Sequence, residues 1–178
     1  AIQNNELRLY YQIQVDSKTE EVIGVEALVR WQHPEFGLLT PDEFIPFAEV
    51  SGLIIPLGYW VIESVFKQAS EHCKKGYKCI KYSINLSAKQ LEDNDLINRI
   101  GELLRKYELD SRIFVFEITE SSAMSNPERS YRVLSQLKEM GFQLAMDDFG
   151  TGYSSLSSLN QFPIDILKID RSFITHIT

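Results

Sequence analysis

Residues 142–156 read FQLAMDDFGTGYSSL, and this stretch indicates how the rest of the chain is organised. Its apolar first part predicts a buried strand, which ends directly in two adjacent carboxylates, Asp147 and Asp148. Carboxylates at the end of a buried strand repel each other and lose hydration, so they need a cation or a proton. The Gly-x-Gly turn that follows lets the backbone bend close to whatever the carboxylates hold. The stretch therefore predicts a corner that binds a cation or a phosphate.

Length and charge limit the classes of protein to consider. The 178 residues suffice for one domain with a sizeable core, and the apolar fraction of 44% is typical of a globular protein. A net charge of −7 argues against a general DNA- or RNA-binding surface, which needs an excess of basic residues. It leaves open a small phosphorylated ligand that metal ions bridge to acidic residues.

Cysteine content and hydropathy predict the setting of the chain. Cys73 and Cys79 have the spacing of neither a zinc site nor a disulfide framework, which favours a reduced, cytoplasmic location. No apolar run approaches the roughly 20 residues of a membrane span, so no membrane contact is expected from this segment. Ala1 stands where an initiator methionine would be, which predicts a longer parent protein, and a membrane anchor elsewhere in that parent is left open.

Hydrophobic periodicity predicts alternating strands and helices. The predicted strands are residues 7–15, 22–30, 79–86, 113–118, the run ending at 147, and 164–169. The predicted helices are residues 43–50, 55–72, one with an apolar stripe over 96–104, and one from 126 whose core side includes Tyr131, Leu134 and Leu137. Capping boxes precede two of the helices, at Thr40 and at Ser87.

This order predicts an α/β fold of the TIM-like (β/α) barrel class, in which functional residues lie at the carboxyl ends of the strands. The first strand is expected to be antiparallel. A full barrel needs eight strands and about 250 residues, whereas this chain offers six strands. The expected domain is therefore residues 1–178, a barrel without its last two β/α units.

Oxygen ligands recur at the predicted strand ends. They are Glu26, Asn85, Glu117, Asp147 and Asp148. Hard oxygen ligands suit Mg²⁺ or Mn²⁺ rather than zinc, and this many can hold two ions about 3.5–4 Å apart, as in phosphodiester hydrolysis. Lys168 lies in an apolar strand and needs a carboxylate or an anion nearby, because desolvation penalises its charge. A single strand-end carboxylate is more often a helix cap or a salt-bridge partner. The prediction of a metal site therefore depends on the convergence of several such residues.

Several motifs, in order, resemble those of the EAL domain, the bacterial phosphodiesterases that open cyclic di-GMP. They are EALVRW at 26–31, HP at 33–34, FIP at 44–46, SINLS at 83–87, FEITES at 116–121, DDFGTG at 147–152 and LKID at 167–170. The resemblance covers residues 7–174, nearly the whole chain. It implies a barrel of the EAL type and hydrolysis of one phosphodiester of cyclic di-GMP by an activated water, which gives linear pGpG.

The resemblance also implies a role for each matching position. The implied metal ligands are Glu26, Asn85, Glu117 and Asp147, with Asp148 serving a second ion, either Mg²⁺ or Mn²⁺. Asp148 is also counted as catalytic, together with Lys168, which touches the attacking water, and Glu120, which steadies the loop that starts at Asp147. The implied contacts to the dinucleotide are Gln12, Leu28, Arg30 and Asp170.

The chain departs from the family pattern in two places. Ile13 stands where the family usually has a proline, but the neighbouring Gln12 is kept. The family also has a metal-binding glutamate on a seventh strand and a glutamine near an eighth, and the sequence ends at Thr178 before either. The second departure puts the activity of this chain by itself in doubt.

Three functions remain open at this point. The first is a metal-dependent cyclic-di-GMP phosphodiesterase. The second is a receptor that binds cyclic di-GMP without hydrolysing it, although such members usually lose ligands that this chain keeps. The third is an inactive fragment or dimerisation module, built on the loop over 147–156. The expected partners are cyclic di-GMP, a second copy of the chain, and an upstream sensor or GGDEF domain.

Overall fold

The structure is a computed structural model that describes residues 1–150 and 161–173. The strands in these residues are β1 (Leu7–Val15), β2 (Val22–His33), β3 (Gly37–Leu39), β4 (Lys81–Asn85), β5 (Phe114–Thr119), β6 (Gln143–Phe149) and β7 (Ile166–Ile169). The helices are α1 (Pro41–Ser51), α2 (Ile54–Lys74), α3 (Ala88–Leu91), α4 (Leu96–Tyr107), α5 (Glu120–Ser125) and α6 (Pro127–Glu139).

The described strands form one mixed sheet in the order β1-β2-β4-β5-β6-β7, with the short β3 paired to β2. β1 runs antiparallel to β2, and every later pair along the path is parallel. Helices connect the parallel strands, as this topology requires. Among the described residues β1 and β7 form two open edges. The prediction of an incomplete α/β barrel with an antiparallel first strand is therefore confirmed.

The face of the sheet that meets the helices forms the main core. Alternate residues of three central strands point to it and are almost inaccessible: Ile84, Phe116, Ile118, Leu144 and Met146. The rings of Phe66 on α2 and Phe114 at the start of β5 stack 4.2 Å apart, which ties the longest helix to the middle of the sheet. Burial of this face fixes the register of each strand, because a slip of one residue would turn its apolar side chains outward.

Helix starts follow the predicted capping chemistry. The backbone N–H of Thr40 donates to Glu43 Oε2 at 2.6 Å, and Pro41 occupies the first position of α1. The Ser87 N–H donates to Gln90 Oε1 at 3.2 Å, and the Gln90 N–H returns a bond to Ser87 Oγ at 3.3 Å. Both predicted capping boxes are present, but the box at Ser87 begins the separate short helix α3, which was not predicted, and the helix with the apolar stripe begins at Leu96.

The structure differs from the sequence prediction in a few elements. The strand β3 and the helix α5 were not expected, and β2 and β6 run further than predicted, to His33 and Phe149. The sequence prediction that Tyr131 belongs to the core is wrong. Tyr131 is 51% exposed, because Ser130 rather than Tyr131 shares the inward face of α6 with Leu134 and Leu137. None of the described helices is long and apolar enough to cross a membrane.

The correction on α6 gives a stability test. Leu134→Ala removes a fully buried side chain, and we expect it to lower the free energy of unfolding by about 2–5 kcal/mol. Tyr131→Ala on the same helix should change it by less than about 1 kcal/mol, because the side chain is half exposed. Urea unfolding of the two variants measures the difference. Equal losses would mean that Tyr131 belongs to the core after all.

Candidate active site

Strand register brings the predicted ligands to one face of the sheet, opposite to the helices. Glu26 on β2 pairs with Ser83 on β4, and Asn85, two residues further along, pairs with Glu117 on β5. Residues two apart on a strand share a face, and so do paired residues on neighbouring strands. Glu26, Asn85 and Glu117 therefore lie in one row. The pairing of Glu117 with Ala145 extends the row to β6, where Asp147 lies two residues further on.

Three of the carboxylates converge closely. Ligand oxygens of Glu26, Glu117 and Asp147 all lie within 4.8 Å of one another, so this cluster has the spacing to hold a metal ion. Asn85 belongs to the same group, since its Nδ2 donates to Glu26 Oε1 at 2.9 Å. The available ligand atoms are the carboxylate oxygens and the amide oxygen of Asn85, and these fit Mg²⁺ or Mn²⁺ rather than a soft metal. We call the three carboxylates the acidic cluster.

Lys168 on β7 reaches into the acidic cluster. Its Nζ donates to Glu117 Oε2 at 2.5 Å, to Asp147 Oδ2 at 2.7 Å and to Glu26 Oε2 at 3.0 Å. Burial acts to lower the pKa of the ammonium, but its hydrogen bonds to Asp147 and Glu117 outweigh burial and raise that pKa above the ordinary value. The sequence prediction that this lysine needs a carboxylate is confirmed, with three partners from three strands.

Glu117 is the most deeply buried member of the acidic cluster, with its side chain 2% exposed. Burial raises the pKa of its carboxyl above the usual range, although the hydrogen bond from Lys168 works against this. The nearby Glu26 carboxylate raises that pKa further by like-charge repulsion. Ionised Glu117 is therefore electrostatically unfavourable in the protein alone, and a bound cation would relieve it.

Asp148 follows Asp147 directly near the end of β6 and is exposed. Its backbone adopts the left-handed conformation, with φ of 52°, and its N–H donates to Asp147 Oδ1 at 2.9 Å. Such a conformation in a residue other than glycine is common at functional sites. Burial, and then the charges of Asp147 and Asp170, raise the pKa of the Asp148 carboxyl. Asp148 and Asp170 are thus close neighbours, although they come from different strand ends.

Gly150 directly follows β6. Its φ of 97° favours glycine, and a Cβ at this position would lie 2.5 Å from the Phe173 ring. Glu120 is buried at the first position of α5, directly after the N-cap Thr119. The loop that Glu120 is predicted to steady continues through residues 151–160, which lie outside the described residues, so this role stays a prediction.

The predicted dinucleotide contacts lie on the neighbouring strands β1 and β2. Gln12 is exposed and pairs with Glu26 across the two strands. Arg30 is half-buried, donates to the Val29 carbonyl at 2.8 Å and lies 5.8 Å from the centroid of the Tyr10 ring. Gln12 is thus adjacent to the acidic cluster, and Arg30 is held further along β2.

A cavity of about 580 Å³ is lined by Asn85, whereas none of the three carboxylates of the acidic cluster lines it. It lies between the carboxyl ends of β2 and β4 and the helices α1, α2, α3 and α5, and it is lined by Leu28 and Asn85. Polar groups from the helices also face it, including Asp42, Ser121 and Ser122. Of the residues predicted to form the site, Leu28 and Asn85 line this cavity. Its size is in the range of small-molecule sites.

Two features of the site were missed in the sequence. Ser83 is buried, and its hydroxyl lies near enough to the Glu117 carboxylate to act against the rise in the pKa of that carboxyl. Gln14 Nε2 in turn donates to Ser83 Oγ at 3.4 Å. Strand alternation could have identified Ser83, because it lies two residues before Asn85 on β4. The cavity had no sequence signal, since its lining comes from segments far apart in the chain.

Known proteins resemble this chain over nearly all of its length. The chain matches the EAL domain family over residues 1–178. It is 46% identical over 177 residues to the signaling protein YkoW of Bacillus subtilis, a match that covers 99% of this chain and 22% of that protein. The cyclic di-GMP phosphodiesterase PdeR of Escherichia coli is 42% identical over 177 residues, which are 99% of this chain and 26% of that protein.

A solved structure agrees in fold. The PaMucR phosphodiesterase, in complex with c-di-GMP, superimposes with a TM-score of 0.93 at 40% identity, covering 99% of this chain and 72% of the other. The chain spans about a quarter of the length of the two curated relatives, at 22% and 26%.

The raised pKa of Glu117 predicts how stability depends on pH without divalent cations. A carboxyl with a raised pKa in the folded state stabilises the fold at low pH and loses this contribution as the pH rises. We therefore expect Glu117→Gln to gain stability relative to the wild type as the pH rises above the ordinary glutamate pKa of about 4.3. Urea unfolding in a chelator at several pH values measures this difference.

Glu63 provides the matched control. Its hydrogen bond with Lys106 lowers the pKa of the Glu63 carboxyl, so Glu63→Gln should lose stability relative to the wild type as the pH rises toward the ordinary glutamate pKa of about 4.3, below the range in which Glu117→Gln gains. If Glu117→Gln instead followed the trend of Glu63→Gln, the Glu117 carboxylate would be stabilised by its surroundings and the electrostatic description of the site would be wrong.

Proposed function

The chain belongs to the EAL domain family, and from this membership and the site geometry we propose that it is a metal-dependent phosphodiesterase domain that hydrolyses cyclic di-GMP to linear pGpG. The observation that carries the proposal is the convergence of Glu26, Glu117 and Asp147, whose ligand oxygens lie within 4.8 Å of one another. Relatives with similar sequences are named as cyclic di-GMP phosphodiesterases, and one was solved with c-di-GMP.

The metal site would be built by residues of β2, β4, β5 and β6. The ligands we propose are Glu26, Asn85, Glu117 and Asp147, with Asp148 toward a second ion. Their oxygen chemistry fits Mg²⁺ or Mn²⁺. When bound, such ions lower the pKa of a water and neutralise charge on a phosphate. This placement is supported by the burial of Glu117 and the repulsion from Glu26, which a bound cation would offset.

The remaining polar residues act on the substrate and the attacking water. Lys168 Nζ lies within hydrogen-bond distance of all three carboxylates of the acidic cluster. When released from these carboxylates, its ammonium would hold the attacking water and face the scissile phosphate, where its positive charge stabilises the developing negative charge. Asp148 and Asp170 lie at the neighbouring strand ends, and Glu120 would position the loop after Asp147.

The dinucleotide itself would lie across the ends of β1 and β2. Gln12 is exposed next to Glu26, and Leu28 forms part of the cavity wall. Arg30 contributes a guanidinium that is already held by the Val29 carbonyl. A prepositioned cation loses less entropy when it binds an anionic ligand. Since Leu28 also lines the cavity, we propose that part of the dinucleotide extends toward it.

The wider setting is also a proposal. The two curated relatives are about four times longer than this chain, which supports an attached sensor or GGDEF domain in a cytoplasmic signalling protein. The open edges at β1 and β7 support two further β/α units beyond residue 178. A homodimer through the loop over 147–156 fits the proposed function, and most of that loop lies outside the described residues.

Hydrolysis by the full-length protein tests the proposal. With Mg²⁺ or Mn²⁺ it should convert cyclic di-GMP to pGpG, and Glu26→Ala or Lys168→Ala should lower kcat by about a hundredfold or more. Product chromatography gives the rates. The control is Lys138→Ala, which breaks the ion pair with Asp165 (Nζ to Oδ1, 2.6 Å) away from the acidic cluster and should keep the wild-type rate.

The same assay separates the competing functions. Metal-independent binding of cyclic di-GMP by calorimetry, without any turnover in the full-length protein, would identify a receptor instead of an enzyme. Absence of both binding and turnover would leave only a structural or dimerisation role.

A further inference from the structure

Lys168 occupies an unusual position for a residue that acts only on substrate. It lies on β7, at one open edge of the described sheet, yet its ammonium contacts carboxylates on three other strands, β2, β5 and β6. The Lys168 side chain is 26% exposed, whereas Glu117 is 2% exposed. The lysine thus reaches from the edge to a buried anion in the middle of the sheet.

The contacts of Lys168 engage all the hydrogen-bond donors of its ammonium and one oxygen of each carboxylate in the acidic cluster. An ammonium has three N–H groups, and the three acceptors are Glu26 Oε2, Glu117 Oε2 and Asp147 Oδ2. These atoms belong to the same carboxylates that have the spacing of a metal site. A divalent cation bound at their centre would therefore have to replace the ammonium as the partner of these oxygens.

Electrostatics gives this competition a direction. Three carboxylates within 4.8 Å repel one another strongly, and one ammonium cancels one of their three charges. The same positive charge repels an incoming divalent cation. Lys168 thus stabilises the strand ends before the metal binds and opposes the metal as it arrives.

We propose that Lys168 is the internal counter-cation of the acidic cluster: it holds the three carboxylates together in the metal-free protein, and metal binding displaces its ammonium from them toward the substrate side. The inference rests on the proposed function only in taking the acidic cluster as a metal site. The role is separate from contact with the attacking water, because it acts before any substrate is present. It makes Lys168 a positioning residue that sets the affinity for the metal.

Metal affinity without substrate tests the proposal. In the full-length protein, Lys168→Met keeps the aliphatic bulk and removes the charge, so it should bind Mn²⁺ about tenfold or more tightly than the wild type. Titration calorimetry in the absence of cyclic di-GMP gives the dissociation constants. Lys168→Arg retains the charge and should bind Mn²⁺ no more tightly than the wild type. The matched control is Lys138→Met, which removes an ion-paired lysine elsewhere and should leave the affinity unchanged.

Stability of the metal-free protein provides a second readout. Lys168→Met should unfold at a lower temperature than the wild type in a chelator and recover more stability on adding Mn²⁺. If this variant does not fold, Lys168→Gln keeps a hydrogen-bond donor to the carboxylates and serves for the same titration. Equal or weaker Mn²⁺ binding by the neutral variants would overturn the proposal, as would tighter binding by Lys168→Arg.

Failure of this inference and failure of the proposed function can be distinguished. If the wild type hydrolyses cyclic di-GMP and Lys168→Met binds Mn²⁺ with unchanged affinity, the counter-cation role is refuted and the phosphodiesterase function stands. Tighter Mn²⁺ binding by that variant, in a protein that never hydrolyses cyclic di-GMP, would keep the counter-cation and refute the phosphodiesterase.

Discussion

Repulsion among buried carboxylates is the constraint on which the site depends. Glu26, Glu117 and Asp147 are brought together by the backbone, and their proximity is unfavourable unless a cation lies among them. In the protein alone, Lys168 supplies that cation through three hydrogen bonds. Because the four residues come from β2, β5, β6 and β7, this interaction also ties the far edge of the sheet to its centre.

The hydrophobic core is what makes the convergence possible. Buried side chains such as Phe116 and Leu144 fix the faces of β5 and β6, and alternation then turns Glu117 and Asp147 to the other face. Parallel strands end at the same edge, so side chains separated by many residues in sequence meet there. The stability of the core and the geometry of the site are therefore consequences of one register.

Much of the fold follows from local sequence signals. The alternation in β1 and β2, the periodicity of α2 and the capping boxes at Thr40 and Ser87 act over a few residues, and the elements form as predicted. The three-residue β3 and the six-residue α5 are too short to give a periodic pattern. Tyr131 was misplaced because a tyrosine next to a buried serine has the stronger apolar signal, while packing favours the smaller residue.

The site was predictable in composition but not in geometry. Strand-end acids and a lysine in an apolar strand identified the residues that meet, since buried charges need partners. Their pairwise contacts depend on the register between neighbouring strands from β2 to β7, which only the assembled sheet defines. The proximity of Ser83 to Glu117 and the cavity lined by Leu28 also depend on the assembled sheet. Glu120 and the loop after Gly150 depend in addition on residues 151–160, which lie outside the described residues.

The most direct test of the central claim is a crystal structure of the full-length protein grown with Mn²⁺, with the metal located by its anomalous scattering. We predict a peak about 2.0–2.6 Å from carboxylate oxygens of Glu26, Glu117 and Asp147, with Lys168 Nζ no longer bonded to all three. A metal-loaded crystal with no peak among these residues, or with Lys168 still bonded to all three carboxylates, would contradict the account.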